Sequence, residues 1–232
     1  MAKIKTYNEF ADFNQIDMIG YGNEALEHRK SYDVDEEPII MKMTREAGIL
    51  EELFNKPFPK NSSPETSAEL ESMLEEQKGL TEEDIKFIED VEKDIYVVIN
   101  DFLKELGING EEDLIKDIAE LTDPLLYKLK NHYNRARPFQ LARPLNIPMY
   151  QPVATSAGTA SYPSGHALDS YMIAAILGQK YPEQAEEIAA YCDKVAHTRV
   201  QGGIHYQSDQ DISREICKKL IDNKIVTLDS FI

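Results

Sequence analysis

The chain has 232 residues, 42% of them hydrophobic, with a net charge of −17 and a pI near 4.7. That length suffices for one well-buried domain, while the acidity argues against a nucleic-acid partner and against a bare anionic membrane surface. No run of about 18 apolar residues is present, so no membrane span is expected, and the N-terminus MAKIKTYNEFADFNQIDMIG lacks the apolar stretch of a secretory signal. The expectation is a soluble, cytoplasmic protein as given, or a periplasmic or secreted one had a leader been removed.

Residues 1–75 read as an N-terminal extension of helix and loop, packed on the core and without an assignable role. Asn61-Ser62-Ser63-Pro64 is its clearest loop. Beyond it helical periodicity dominates. Ile85, Ile88, Val91, Ile95, Ile99, Phe102 and Leu106 recur at three- and four-residue steps, which describes one long amphipathic helix. Thr81 ahead of Glu82-Glu83-Asp84 caps its start, and Gly107 with Asn109-Gly110 ends it. A second helix is expected from about Glu111, and Asp123-Pro124 reads as the cap and first turn of a third.

Residues 138–162 hold Pro138, Pro144, Pro148, Pro152 and Gly158, and read as one long functional loop. Helices follow over about 164–180, 182–199 and 205–223. Strand-like alternation is scarce, so the fold class is all-α, a single-domain helical bundle. Cys192 and Cys217 lack C-x-x-C spacing and read as two buried thiols.

The acid is unevenly spread. From Pro124 to Pro148 there is no Asp or Glu, yet Lys128, Lys130, Arg135, Arg137 and Arg143 are present. A basic island in an acidic chain can focus a small anion. Lys130 and Arg137 stand seven apart and would share one face of a continuing helix. The same residues also suit a solvated helix end.

Pro163-Ser164-Gly165-His166 precedes the apolar run ALDSYMIAAIL. A helix N-terminus offers free N–H groups to an anion. Gly165 weakens a helix by roughly 1 kcal/mol relative to alanine, which is tolerable where something approaches the backbone closely. Ser164 adds a hydroxyl and His166 a proton donor. The plain alternative is a capped helix with a packed histidine.

Thr198-Arg199 lies ahead of Gly202-Gly203, His205 and Asp209. His205 and Asp209, at i and i+4, can pair on one helix face. A carboxylate that fixes one imidazole nitrogen leaves the other as nucleophile or base. Alone, the pair is equally a surface hydrogen bond.

Together the spacings read lysine-x6-arginine-proline, then proline-serine-glycine-histidine, then serine-arginine-x5-histidine-x3-aspartate. Ten of these eleven positions match, with Thr198 in place of serine. The chain therefore resembles the type 2 phosphatidic acid phosphatase (PAP2) superfamily, which includes bacterial class A non-specific acid phosphatases and vanadium-dependent haloperoxidases. Residues 76–232 would then be the catalytic helical core.

The resemblance implies that His205 attacks phosphorus and forms a phosphohistidine, that Asp209 orients it, and that His166 protonates the leaving oxygen and then activates water. Lys130, Arg137, Ser164, Gly165 and Arg199 would bind the phosphoryl group. No cofactor or metal is expected, although phosphate or vanadate would fit the site. The substrate expected is a small phosphomonoester; a homo-oligomer stays open. Vanadate-dependent haloperoxidase activity, or phosphate binding with reduced catalysis, is the alternative. His28, His132 and His197 read as structural or solvated.

Overall fold

The computed structural model describes residues 16–20, 37–145, 147–149 and 157–231, without the side chains of Arg143 and Pro144. His28, Pro152, the Arg143 side chain and most of residues 1–36 lie outside the described residues.

The described residues form an all-α fold with no strand; Gly20 and Arg135 make an isolated bridge. Helices α1 (Ile39–Glu46), α2 (Ile49–Phe54) and α3 (Pro64–Lys78) come first. They are followed by α4 (Glu82–Lys93), α5 (Ile95–Glu105), α6 (Glu112–Tyr133) and α7 (Pro138–Leu145). The chain continues through α8 (Gly165–Lys180), α9 (Ala185–Gln201), α10 (Gln207–Asp222) and a short 3-10 turn, Leu228–Phe231.

The centre of the bundle is α8. Residues Ala167 to Ile173, with Ile176 and Leu177, are all buried. A helix apolar on every side belongs in the interior, and α8 packs on α9, α10 and α6. Cys192 and Cys217 are buried free thiols within this core. Helix α1 packs on α6 and α3 on α9, so the described part of residues 37–78 lies against the later helices. No described helix is long and apolar enough to cross a membrane.

Three elements differ from the sequence expectation. The long helix after Thr81 is two helices, broken at Asp94 (φ −162°, ψ 100°). The Asp94 carboxylate accepts from the Tyr96 and Val97 amides at 2.9 and 3.1 Å, starting a new helix without disturbing the apolar spacing. Pro124 does not start a helix; it lies inside the 22-residue α6. Its ring removes one ladder bond, but burial of Ile115, Ile118, Leu125, Leu126 and Leu129 along α6 outweighs that loss. The expected loop from 138 begins as α7 instead. Pro138 is pre-set for a first helical turn, and the Gln140 side chain accepts from the Arg137 amide at 2.8 Å.

Candidate active site

Lys130 lies in the last turn of α6. The helix ends at Asn134, in the left-handed region with φ 45°. Lys130 and Arg137 therefore do not share a continuous helix. Arg137 instead stands at the entrance to α7, on the far side of this turn. The turn nevertheless returns both cations to one place, between Thr159–Ala160 and Ile204–His205. Lys130 Nζ donates to the Ala160 carbonyl at 2.6 Å, and Arg137 Nε to the Thr159 carbonyl at 2.8 Å. Both are almost fully buried.

The second motif enters through Ser164, the N-cap of α8. Its hydroxyl accepts from the Ala167 amide at 3.4 Å, so it is turned toward its own helix. The Ser164 amide donates to the Asp209 carbonyl at 3.1 Å, and the Ser213 hydroxyl lies 2.8 Å from the Ser164 carbonyl. These bonds tie the start of α8 to α10. A Cβ on Gly165 would stand 3.1 Å from Leu126 Cδ2 of α6, so that Leu126 would have to shift by a few tenths of an ångström to admit it. As first-turn residues, Gly165 and His166 have amides with no intrahelical acceptor.

The third motif spans the end of α9 and the start of α10. Arg199, in the last turn of α9, is 1% exposed and ion-paired with Glu92 of α4. His205 Nδ1 lies 3.1 Å from Asp209 Oδ2, and its Nε2 lies 3.0 Å from Arg137 Nη1. A guanidinium can only donate and an ionised carboxylate can only accept. The network therefore places the proton on Nδ1 and the lone pair on Nε2, facing Arg137.

Asp209 is fully buried. Its Oδ1 accepts from Arg135 Nη1 at 2.6 Å. Its Oδ2 accepts from His205, from the Tyr206 amide at 3.0 Å and from the Ser161 hydroxyl. Burial would raise this carboxyl, but Arg135, His205 and Ser161 outweigh it and hold it below the usual range. Arg135 also donates to Ser208 Oγ at 2.7 Å and Glu69 Oε2 at 3.1 Å, and lies 3.9 Å above the Tyr206 ring.

Electrostatics links the motifs. Burial, then Arg199, His205, Arg137 and Lys130 in that order, hold His166 well below the ordinary imidazole value. Burial and then Arg137 and Lys130 do the same to His205, against its bond to Asp209. Lys130 is depressed by burial first and Arg137 second. Lys130, Arg137, His166, Arg199 and His205, from three motifs, thus bear on one another's charge, and positive charge accumulates among them. An anion among them would offset that charge.

Four contributors escaped the sequence reading. Arg135 looked like one more residue of the basic island, and its partner Glu69 is 66 positions away. Glu92, 107 positions from Arg199, drew no notice in the sequence. Ser161 lies just outside the proline-serine-glycine-histidine block. Only Arg135 and Ser161, adjacent to motifs, carried any signal. His132 Nε2 is 3.0 Å from the Phe54 carbonyl, and His197 sits between Gln210 and Glu76. Among the described residues no three His, Cys, Asp or Glu side chains are grouped to hold a metal.

Residues 119–214 match the PAP2 superfamily and carry every residue of the three motifs, which bears out the resemblance read from them. Over 89 residues the chain is 38% identical to a non-specific acid phosphatase of Salmonella typhi. Over the same length it is 36% identical to one of Salmonella typhimurium. Each match covers 38% of this chain and 34% of the relative, so the chain spans about a third of the length of the curated relatives it matches.

Proposed function

We propose that the protein is a phosphomonoesterase that needs no metal and works through a phosphohistidine on His205. One observation carries the reading: His205 Nδ1 is held by a buried carboxylate while its Nε2 lone pair faces Arg137, with the charges of Arg137 and Lys130 bearing on the ring. These residues would supply a nucleophile, an orienting acid and an anion clamp, and the matched relatives are acid phosphatases, which supports the reading.

The phosphoryl dianion enters among the cations and draws Arg137 Nη1 off Nε2 onto a non-bridging oxygen. The Nε2 lone pair then attacks phosphorus as the ester P–O bond breaks. His166 gives its proton to the departing oxygen, releasing the alcohol. Asp209 stabilises the imidazolium through Nδ1–H without taking the proton, because its carboxyl is held well below the usual range. Water attacks the phosphohistidine, His166 takes the water proton, the P–N bond breaks and phosphate leaves.

Lys130, Arg137, Arg199 and the first-turn amides of α8 offset the oxygen charge throughout, the part that magnesium plays in many phosphoryl transfers. The bound dianion also reverses the depression of His166, which prepares it as the acid. His205 must be neutral and His166 protonated, so kcat/KM follows a bell-shaped pH profile.

The test is hydrolysis of p-nitrophenyl phosphate with EDTA present. Turnover inhibited by vanadate, and lost by a factor of about 10³ or more in His205→Ala, is the expected result. Full activity in His205→Ala would falsify the nucleophile assignment.

A further inference from the structure

Helices α6 and α8 run antiparallel past the cationic space, and three pairs give their register. Lys130 Nζ bonds the Ala160 carbonyl at 2.6 Å, Leu126 abuts Gly165, and Asp123 acts on the charge of Asp169. The seam therefore leads from His166 to Asp169 on α8, and from Lys130 through Tyr127 to Asp123 on α6. Tyr96 of α5 closes its far side, with its hydroxyl 3.3 Å from Asp169 Oδ2. Asp123 and Asp169 both act on the Tyr127 hydroxyl. Tyr96, Asp123, Tyr127 and His166 are half-buried, and Asp169 lies at the base, 7% exposed.

One feature here is not accounted for by folding. Asp169 Oδ1 is buried and has no hydrogen-bond partner. An unsatisfied buried carboxyl oxygen is costly, and native structures rarely keep one without a reason. Burial first, and Asp123 second, push the Asp169 carboxyl up to about 7.

We propose that this seam is a leaving-group subsite in which Asp169, with Asp123 and the Tyr96 hydroxyl beside it, takes a cationic group. The preferred substrates are then phosphomonoesters of amino alcohols. The inference rests on the phosphatase reading above. It places the phosphoryl dianion among Lys130, Arg137 and Arg199, the ester oxygen at His166, and the ammonium toward Asp169.

The spacing suits this. His166 and Asp169 are one helical turn apart, ~5 Å along the axis, which a two-carbon bridge between oxygen and nitrogen spans. The chemistry suits it as well. An ammonium satisfies Asp169 Oδ1 and offsets the Asp123–Asp169 repulsion. A neutral alkyl group does none of these.

The experiment compares kcat/KM for phosphoethanolamine and phosphocholine with that for propyl phosphate and glycerol phosphate. The cationic esters are expected to be preferred by about tenfold, and the preference to fall toward unity in Asp169→Asn and Asp123→Asn. Each ratio is taken within one protein, so a general loss of activity cancels. The half-buried Asp123 serves if Asp169→Asn fails to fold. Equal rates in the unaltered chain, or a ratio that survives substitution, overturns the subsite. If no ester is hydrolysed, the phosphatase reading fails separately. Calorimetry on the full chain then decides the subsite: tighter binding of phosphocholine than of propyl phosphate supports it, and equal affinities overturn it.

Discussion

Asp209 Oδ2 accepts from an imidazole, a hydroxyl and an amide at once, while Oδ1 takes a guanidinium. Such a carboxylate cannot rotate, and neither can the ring it holds. Ser161 is therefore a positioning residue for His205. In Ser161→Ala the carboxylate loses one donor, and its charge falls more heavily on the imidazole. His205 then protonates more readily, so the acid limb of kcat/KM should move to higher pH. The expected drop in kcat is about tenfold with KM unchanged, and the stability loss about 1 kcal/mol. A pH profile and a urea titration check both; a purely structural serine would leave the acid limb in place. At this scale the motif residues were legible because His205 and Asp209 are four apart and the other motif positions are adjacent or at set spacings. Arg135 with Glu69, and Arg199 with Glu92, were not. Such pairs are made by tertiary packing across 66 and 107 residues, and no local spacing encodes them.

Among the elements, apolar periodicity was legible and helix boundaries were less so. The apolar positions of α4 and α5 run in register through Asp94, so hydrophobic spacing alone reads one helix. The break comes from a side chain that bonds its own following amides. Asp94→Ala should cost about 1 kcal/mol, as N-cap losses do, read as a lowered urea midpoint. An unchanged midpoint would mean that the break is imposed by packing. Pro124 misled in the opposite direction, because a breaker inside a strongly buried helix is tolerated. Pro138 was read as loop, yet a proline at a first helical turn is favourable once Gln140 caps the Arg137 amide. The loss of helical continuity between Lys130 and Arg137 did not part them, since the turn at Asn134 brings them back together.

Across the whole molecule, the buried charges set how stability responds to pH. His166 and His205 resist protonation in the fold, first because of burial and then because of neighbouring cations. In the unfolded chain they titrate near ~6.5. Below that value the unfolded state binds protons that the native state does not, so stability falls as pH falls. Asp169, pushed up to about 7, has the opposite sign: its contribution is present at low pH and is lost as pH rises through that value. Asp209 is held low, so its contribution is constant between pH 5 and 7. Two imidazoles outweigh one carboxyl. The urea midpoint should therefore drop from pH 6.5 to 5, and drop more steeply in Asp169→Asn. A midpoint that rises over this range sinks the assignment of buried neutral imidazoles.

The central claim is that His205 carries the phosphoryl group. Its most direct test is rapid quenching of the protein during turnover of p-nitrophenyl phosphate, followed by peptide mass spectrometry. The account predicts a phosphoryl group on the His205 peptide, lost in acid, kept in alkali and absent from His205→Ala. Turnover with no phosphorylated peptide at any quench time, or with the label on another residue, would contradict it.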